Sequence, residues 1–217
     1  MQRLKDVFFN AAREESIVDK AAARAYNMFK HINVQGGTIM KAFIDLANGN
    51  ISGDVSESVR KLKDLKGIFA DEAAFAAMDP ETVAYRVQMH EAEKNGVEGG
   101  LLFGTSYVMP GKVGDEYFMT KGHYHAKRDT AEYYFCISGK GALILMREDG
   151  TCWMEEMERG TLHYIEKSVA HRLANTGDEV LAVGCIWGSD IGHDYETIAK
   201  YGFTKRLKEV DGKPQLV

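Results

Sequence analysis

The chain has 217 residues, of which 45% are apolar and 27% charged, a length that allows one domain with a sizeable core and an appendage. The net charge of -5 argues against a nucleic-acid-binding surface, and no apolar run approaches a membrane-spanning length. Three widely spaced cysteines suggest no disulfide framework, and the acidic N-terminal segment fits neither a secretory nor a transit peptide, so we expect a cytoplasmic protein.

The N-terminal part of the chain is predicted to be helical. Residues 16–32 are rich in alanine and place apolar side chains at the three- and four-residue spacing of one helix face. A second, weaker helical stretch is predicted around residues 43–46, where it ends at an Asn-Gly turn signal. We therefore divide the chain into an N-terminal helical extension, residues 1–48, and a second domain, residues 49–217.

The second domain is predicted to consist mainly of β-strands. It begins with a polar, charged segment, residues 54–66, and an alanine-rich segment, residues 71–78, that predicts a short helix. Short runs of β-branched, aromatic and leucine residues then alternate with glycine-containing turn signals, which predicts hairpins that close into a barrel. The predicted strands are residues 82–92, 100–109, 117–121, 132–138, 141–147, 151–157, 161–165 and 180–187.

Three histidines and one glutamate form a candidate metal site. Side chains on a strand alternate between its faces, so His123 and His125 point the same way, into the barrel. Glu132 opens the next predicted strand and His171 begins another, so ligands from three strands can converge. This donor set suits one divalent metal ion per subunit, either Fe(II), Mn(II), Ni(II) or Co(II), and Zn(II) could also bind with fewer open positions. The alternative is a chance histidine pair and an ion-paired glutamate.

The spacing of these residues resembles the two motifs of the cupin superfamily. In the first motif, His-x-His is followed by a glutamate and, after six residues, a glycine, which fits Glu132 and Gly139. The second motif is matched in part, because Glu166 and Ser168 stand where it has a proline and a glycine. The resemblance implies a cupin barrel, a double-stranded β-helix or jelly roll, after the N-terminal extension. Three positions of the second motif are matched, by Gly160, His171 and Asn175.

The spacer before Glu132 is longer than in most cupins, and this length is typical of one branch. The chain resembles the cupin-type glucose-6-phosphate isomerases, known chiefly from archaea and some bacteria, over about residues 45–204. The first 45 residues or so look like an addition to the compact archaeal form. The matching segments are Gly49-x-Ile51-x-Gly53, Ser58-Val59-Arg60-x-Leu62, Gly67-x-Phe69-x-Asp71-Glu72, residues 110–114, residues 120–132 and residues 192–203.

The resemblance implies roles for residues beyond the metal ligands. Glu132 would be the base, and His193 and Tyr195 would lie over the metal and assist ring opening or proton movement. Trp187 replaces a family tyrosine that reaches the phosphate, and an indole donates one N–H but cannot accept. The alternative is that such residues serve strand propensity and packing. The implied substrate contacts are Thr105, Ser106, Thr120, Gly122, Tyr134 and Trp187.

The resemblance implies a metal-dependent glucose-6-phosphate isomerase, which would interconvert glucose 6-phosphate and fructose 6-phosphate through a cis-enediol or enediolate. Chelation of the C1 and C2 oxygens by the metal would polarise the carbonyl. We expect a sugar phosphate as ligand, a homodimer, and neither nucleic acid nor membrane as partner. Three alternatives stay open: activity on mannose 6-phosphate, a non-catalytic sugar-phosphate-binding cupin, and a cupin Fe(II) dioxygenase.

Overall fold

The computed structural model describes residues 42–217, so the helix predicted over residues 16–32 lies outside the described residues. Two α-helices are present in this range, α1 (Glu72–Ala77) and α2 (Tyr195–Tyr201), with a 3-10 helix at Leu62–Leu65. No helix of this range is long and apolar enough to cross a membrane. The strands are β1 (Phe43–Ile44), β2 (Ile51–Ser52), β3 (Val55–Lys61), β4 (Val83–His90), β5 (Leu101–Val108), β6 (Lys112–Val113), β7 (Glu116–Tyr117), β8 (Tyr124–His125), β9 (Glu132–Ser138), β10 (Lys140–Arg147), β11 (Cys152–Glu158), β12 (Leu162–Ile165), β13 (Val169–Asn175), β14 (Leu181–Gly188), β15 (His193–Asp194), β16 (Leu207–Val210) and β17 (Lys213–Leu216).

Two antiparallel sheets form the walls of the barrel. The larger has the strand order β12-β9-β14-β5-β4-β3, and the smaller has the order β11-β10-β13. Leu102 and Val183 from the larger sheet share one buried apolar cluster with Leu143 and Leu173 from the smaller sheet. Burying an aliphatic side chain of this size stabilises the fold by about 1.5–3 kcal/mol. The predicted mainly β, cupin-type barrel is confirmed.

The alternation of side chains along β9 shows how the sequence selects its inner face. Glu132, Tyr134 and Cys136 are buried, whereas the intervening Tyr133 is 45% exposed. Successive strand residues point to opposite faces, so the three buried side chains face the barrel interior. The first two of them therefore reach the same interior space, as the sequence predicts.

The helix predicted around residues 43–46 is wrong, because Phe43–Ile44 forms a strand that pairs with Ile51–Ser52. Asp45 Oδ1 accepts a hydrogen bond from the Ala47 backbone N–H at 2.8 Å, which favours a turn over a helix. This β1–β2 hairpin spans residue 48, where the boundary between the extension and the barrel domain is predicted. That boundary stays a prediction, since most of the extension lies outside the described residues.

Other elements differ from the predicted ones in position or were not predicted. Residues 117–121 form only the end of β7 and an isolated bridge between Met119 and Ala174. The strand predicted to begin at His171 begins two residues earlier, at Val169. The polar segment 54–66 contains β3 at the edge of the larger sheet, and β16 and β17 form a C-terminal hairpin that the sequence analysis missed.

The short helices begin at aspartate caps. Asp71 Oδ1 accepts the Ala74 backbone N–H at 2.8 Å at the start of α1, which agrees with the helix predicted over residues 71–78. Asp194 does the same for Thr197 at 3.0 Å at the start of α2. This second cap fixes where α2 begins, and therefore where its first residue, Tyr195, lies.

All three cysteines of the chain are free and buried, which confirms the prediction that they form no disulfide framework. Cys136, Cys152 and Cys185 lie on β9, β11 and β14 respectively. Burial raises the pKa of the Cys136 thiol to about 11 and also raises the pKa values of the other two. The three thiols are therefore protonated near neutral pH and pack as small apolar groups.

Candidate functional site

Backbone pairing brings the first and last of the predicted metal ligands together. The His123 N–H donates to the His171 carbonyl at 3.2 Å, and the His171 N–H donates back at 3.1 Å. Their imidazole centroids lie 4.4 Å apart. His125 follows on β8, with its ring centroid 6.0 Å from that of His123 and 5.2 Å from that of His171. The prediction that the two β8-region histidines share a face is confirmed.

The donor atoms of His123, His125, Glu132 and His171 all lie within 4.8 Å of one another. Glu132 Oε1 lies 2.6 Å from His171 Nε2 and 3.2 Å from His125 Nε2. The buried Nε2 of His123 has no hydrogen-bond partner within the described chain, and the 2.6 Å contact of His171 Nε2 lacks hydrogen-bond geometry. The donor atoms therefore point at a common centre, where His125 and Glu132 hydrogen-bond but the Nε2 atoms of His123 and His171 lack a hydrogen-bond partner among the described residues, an arrangement that suits a metal site.

The opposite ring nitrogens of two histidines are anchored to the backbone. His125 Nδ1 lies 3.1 Å from both the carbonyl oxygen and the Oγ1 of Thr130. His171 Nδ1 lies 3.2 Å from the Val169 carbonyl oxygen. A carbonyl only accepts, so each Nδ1 carries a proton and each Nε2 faces the common centre. A ring held in this orientation can bind a metal through Nε2.

The protonation states of the cluster also suit a cation. Burial lowers the pKa of His123 well below its usual value, and the neighbouring His171 and His193 lower it further. Burial alone would raise the pKa of Glu132, but His171 and His125 together bring it down to about 2. The cluster therefore combines a carboxylate with a neutral imidazole at neutral pH, which matches the ligands of divalent transition metals.

A cavity of about 420 Å³ opens from this cluster. Its lining includes both Glu132 and His123, so the cavity lies directly against the donor atoms. Six residues predicted from the sequence to act on or contact the substrate also line it, and sugar-sized ligands fit cavities of this volume. The six are Ser106, Glu132, Tyr134, Trp187, His193 and Tyr195.

Three predicted substrate contacts do not line the cavity. Thr105 is fully buried, and a Cβ on Gly49 would meet its Cγ2 at 2.8 Å, which places its side chain on the face of β5 opposite Ser106. Thr120 Oγ1 accepts the Leu173 N–H at 3.1 Å. Gly122 has a φ of +73° and packs against Arg172 and Phe203. The structure therefore does not bring Thr105, Thr120 or Gly122 to the cavity.

His193 and Tyr195 cover the metal-ligand cluster from one side. The rings of His193 and His123 meet edge to face with centroids 4.4 Å apart, and the Tyr195 ring lies 5.2 Å from His123. Burial lowers the pKa of His193 and raises the pKa of Tyr195. Near neutral pH the imidazole is therefore an acceptor and the phenol a donor.

Arg128 links the strand that carries His125 to the helix that carries Tyr195. Its Nη1 donates to the His125 carbonyl, and its Nη2 lies 2.5 Å from Asp194 Oδ2. Asp194 also caps α2, so a single guanidinium holds both elements in register. The bond to Arg128, followed by the bonds to Thr197, lowers the pKa of Asp194. Arg128 is not among the site residues predicted from the sequence, so this link was missed.

Sequence reasoning also missed the rim that β3 contributes. Ser56, Glu57 and Ser58 line the cavity together with Gly104 and Cys185. Glu57 Oε2 accepts hydrogen bonds from Arg86 at 3.0 Å and Gln88 at 3.1 Å, which orients its carboxylate. No helix or strand was predicted within residues 54–66. Had an edge strand been predicted there, these side chains could have been placed near the cavity.

Comparison with known proteins identifies the family. The family model described as "Glucose-6-phosphate isomerase (GPI)" matches residues 59–213. Relatives called glucose-6-phosphate isomerase include those of Thermococcus litoralis, 45% identical over 78% of this chain and 89% of the relative, and Pyrococcus furiosus, 42% identical over 80% and 92%. The relative of that name from Sinorhizobium medicae is 38% identical over 77% of this chain and 78% of its own.

Solved structures were compared as well. A structure of Bacillus subtilis oxalate decarboxylase matches with a TM-score of 0.39 and 23% identity, covering 49% of this chain and 26% of that chain. A structure of the Lactobacillus farciminis enzyme matches with a TM-score of 0.40 and 16% identity, covering 51% and 30%. This chain thus spans about a quarter to a third of those proteins. The match of the family model and the close relatives show that the chain belongs to the glucose-6-phosphate isomerase family, a family of enzymes.

Proposed function

We propose that this protein is a metal-dependent glucose-6-phosphate isomerase that interconverts glucose 6-phosphate and fructose 6-phosphate. The observation that carries the proposal is the convergence of four donor atoms within 4.8 Å at the base of a cavity that fits a sugar phosphate. Family membership supports the choice of substrate, because the relatives carry the name of this activity.

His123, His125, Glu132 and His171 would hold one divalent metal ion, with Fe(II) favoured and Mn(II), Ni(II), Co(II) or Zn(II) as alternatives. When bound, the metal supplies a Lewis acid that polarises the substrate carbonyl and stabilises negative charge on the neighbouring oxygens. The backbone anchors on His125 and His171 support this role, because they hold both Nε2 atoms toward one point before any ligand arrives.

Proton transfer is assigned to three residues of the cavity. Glu132 would take the proton from C2 of the aldose and return it to C1 of the ketose, or the reverse, since it is a buried carboxylate that stays ionised. His193, whose lowered pKa keeps it neutral, would accept a proton during ring opening. Tyr195, whose raised pKa keeps it protonated, would donate one. The product would form through a cis-enediol or enediolate.

Substrate binding is assigned to Ser106, Tyr134 and Trp187. All three line the cavity, and the hydroxyl of Ser106 and the indole N–H of Trp187 can donate to phosphate or sugar oxygens. Burial, followed by the charge of Glu132, raises the pKa of Tyr134 well above its usual value, so its hydroxyl keeps its proton. We further propose that the protein lies in the cytoplasm and forms a homodimer. Light scattering on the purified protein would check the homodimer.

A coupled isomerase assay on metal-reconstituted protein tests the proposal. Chelation should abolish turnover, and Fe(II), Mn(II) or Ni(II) should restore it better than Mg(II), which disfavours imidazole ligands. Activity on mannose 6-phosphate is measured in parallel. Undiminished activity with a measured metal content of nil contradicts the metal role. Binding of fructose 6-phosphate without turnover would instead indicate a non-catalytic sugar-phosphate sensor, and substrate-dependent oxygen consumption a dioxygenase.

A further inference from the structure

A second cavity, of about 280 Å³, lies between α2 and the segment at Gly67 and Ile68. We name it the basic cavity, because its charged lining residues are all cations and no carboxylate lines it. This is notable in a chain whose net charge is -5. It shares no lining residue with the cavity at the metal-ligand cluster. Its cationic residues are Lys66, Arg172, Lys200, Lys205 and Arg206.

Arg172 is the buried cation of this cavity. It follows His171 on β13, so its side chain points to the face opposite the metal-ligand cluster. It is only 7% exposed. Its Nη1 lies 3.0 Å from the Met119 sulfur, its Nη2 donates to the Lys121 carbonyl at 2.7 Å, and its buried Nε has no hydrogen-bond partner among residues 42–217. Its guanidinium lies 4.1 Å above the Phe203 ring.

The neighbouring carboxylate does not neutralise this guanidinium. Glu116 is the nearest acidic influence on Arg172, but its oxygens accept bonds from Arg206 Nη1 at 2.9 Å and from the Ala70 N–H at 2.8 Å. A buried cation whose own contacts are a thioether, a carbonyl and an aromatic face is costly unless an anion approaches it.

We propose that the basic cavity binds a small phosphate-bearing anion at a site separate from the proposed active site. The exposed Lys66 and Lys205 would supply charge at the mouth of the cavity, and Arg172 at its wall. Guanidinium and ammonium groups recognise phosphate through charge-assisted hydrogen bonds. Arg172 also donates a hydrogen bond to the carbonyl of Lys121, two residues before His123. An anion bound to Arg172 would therefore contact a side chain that supports the segment leading to this proposed metal ligand.

Titration calorimetry with inorganic phosphate at constant ionic strength tests the site in the full-length, metal-loaded protein. The double variant Lys66→Ala/Lys205→Ala removes two exposed cations of the basic cavity. The matched control, Lys140→Ala/Lys213→Ala, removes the same charge from exposed positions outside it. We expect phosphate to bind the wild type and the control equally, and the Lys66/Lys205 variant at least about tenfold more weakly, the effect of 1.4 kcal/mol.

Two outcomes overturn the proposal. The first is that both double variants bind phosphate equally more weakly than the wild type, which would indicate a general effect of net charge. The second is that neither variant changes phosphate binding, which would place the phosphate in the active-site cavity alone. Glycerol 3-phosphate in a second arm distinguishes the source of the anion, because tighter binding than inorganic phosphate indicates an organic monoester. No turnover is measured, so the result does not depend on the proposed isomerase activity.

Discussion

At the scale of single residues, the metal-ligand cluster depends on individual donor atoms. Removing the imidazole of His125 or His171 takes away one donor and leaves the buried Glu132 carboxylate with fewer partners. Loss of a residue that only supports a metal ligand lowers metal affinity by roughly tenfold to hundredfold. We expect His125→Ala and His171→Ala, which each remove a proposed ligand, to lower it by more than that. Metal content after dialysis, measured by mass spectrometry, checks this.

His90→Ala is the matched control for these variants. His90 lies at the end of β4, outside the cavity lining, and its Nδ1 contacts the Asp54 carbonyl at 3.1 Å. It should keep the metal content and melting temperature of the wild type. Full metal occupancy in His125→Ala or His171→Ala would remove that residue from the ligand set.

The proposed base role of Glu132 has an isotopic consequence. A proton held on a carboxylate can exchange with water, so turnover in deuterated solvent should place deuterium on the substrate carbon. Glu132→Gln should then lose about a hundredfold to ten-thousandfold in rate, the usual effect of removing a general base. Metal content must be measured alongside, because the same residue is a proposed ligand. Complete retention of the substrate hydrogen over many turnovers would indicate a hydride shift and leave Glu132 without the base role.

The clustering of the four candidate ligands could be predicted from the sequence, whereas only some of the predicted substrate contacts reach the cavity. The two histidines of His-x-His are two residues apart, so their side chains share one face wherever the segment is extended. Thr105 and Ser106 are adjacent, so only one of them can face the cavity, and the resemblance names both. Thr120 satisfies a backbone N–H of β13 instead. These outcomes depend on packing between strands that are distant in sequence.

At the scale of elements, Arg128 is expected to act as a positioning residue. Arg128→Ala releases both the His125 carbonyl and the Asp194 cap, so Tyr195 on α2 loses its support. A small displacement of a proton donor can cost up to about a hundredfold in rate, so we expect kcat to fall by about tenfold to a hundredfold. Steady-state kinetics with metal analysis check this, since the metal content should not change.

Lys127→Ala provides the control for this prediction. Lys127 is the adjacent cation and also forms an ion pair, with Asp190 at 2.8 Å, but that pair is exposed. Arg128→Lys should restore activity only in part, because an ammonium cannot bridge both acceptors as a guanidinium does. An equal loss of kcat in Lys127→Ala would show that charge alone is responsible.

The elements that the sequence analysis missed have identifiable physical reasons. β3 lies at the edge of the larger sheet, and the residues over most of its length are exposed, so it lacks an alternating apolar pattern. The C-terminal hairpin turns at Asp211 and Gly212, whose φ values are +51° and +71°. An Asp-Gly pair is a recognised hairpin signal, so this turn could have been predicted from the sequence. The central strand β9 was predicted with the correct bounds because its sequence is a run of aromatic and other apolar residues next to a glycine turn signal.

At the scale of the whole molecule, the N-terminal extension is predicted to be dispensable for folding of the barrel. Removal of residues 1–41 should leave the melting temperature nearly unchanged. Removal of residues 1–48 also deletes β1, and Ile44 of that strand packs against the buried Tyr107, Ile137 and Ala182. We expect this longer deletion to cost about 1–2 kcal/mol of unfolding free energy, since the lost side chains are half-buried.

Thermal and denaturant unfolding of the two truncated proteins test this expectation, and light scattering of each shows whether the extension affects assembly. If removal of residues 1–41 already unfolds the protein, the extension belongs to the folding unit and the predicted division of the chain is wrong. If both truncations are equally stable, the β1–β2 hairpin adds nothing measurable to the barrel.

The buried thiols give this molecule internal reporters of its own opening. Alkylating reagents attack thiolates, and burial raises the pKa of all three cysteines, so maleimide uptake should be slow while the strands stay paired. Cys152 lies in the smaller sheet and Cys136 in the larger one, while Cys185 lines the proposed active-site cavity. Labelling rates measured by peptide mapping would therefore compare the local opening of the two sheets in the wild-type protein. A bound sugar phosphate should slow the reaction at Cys185 most.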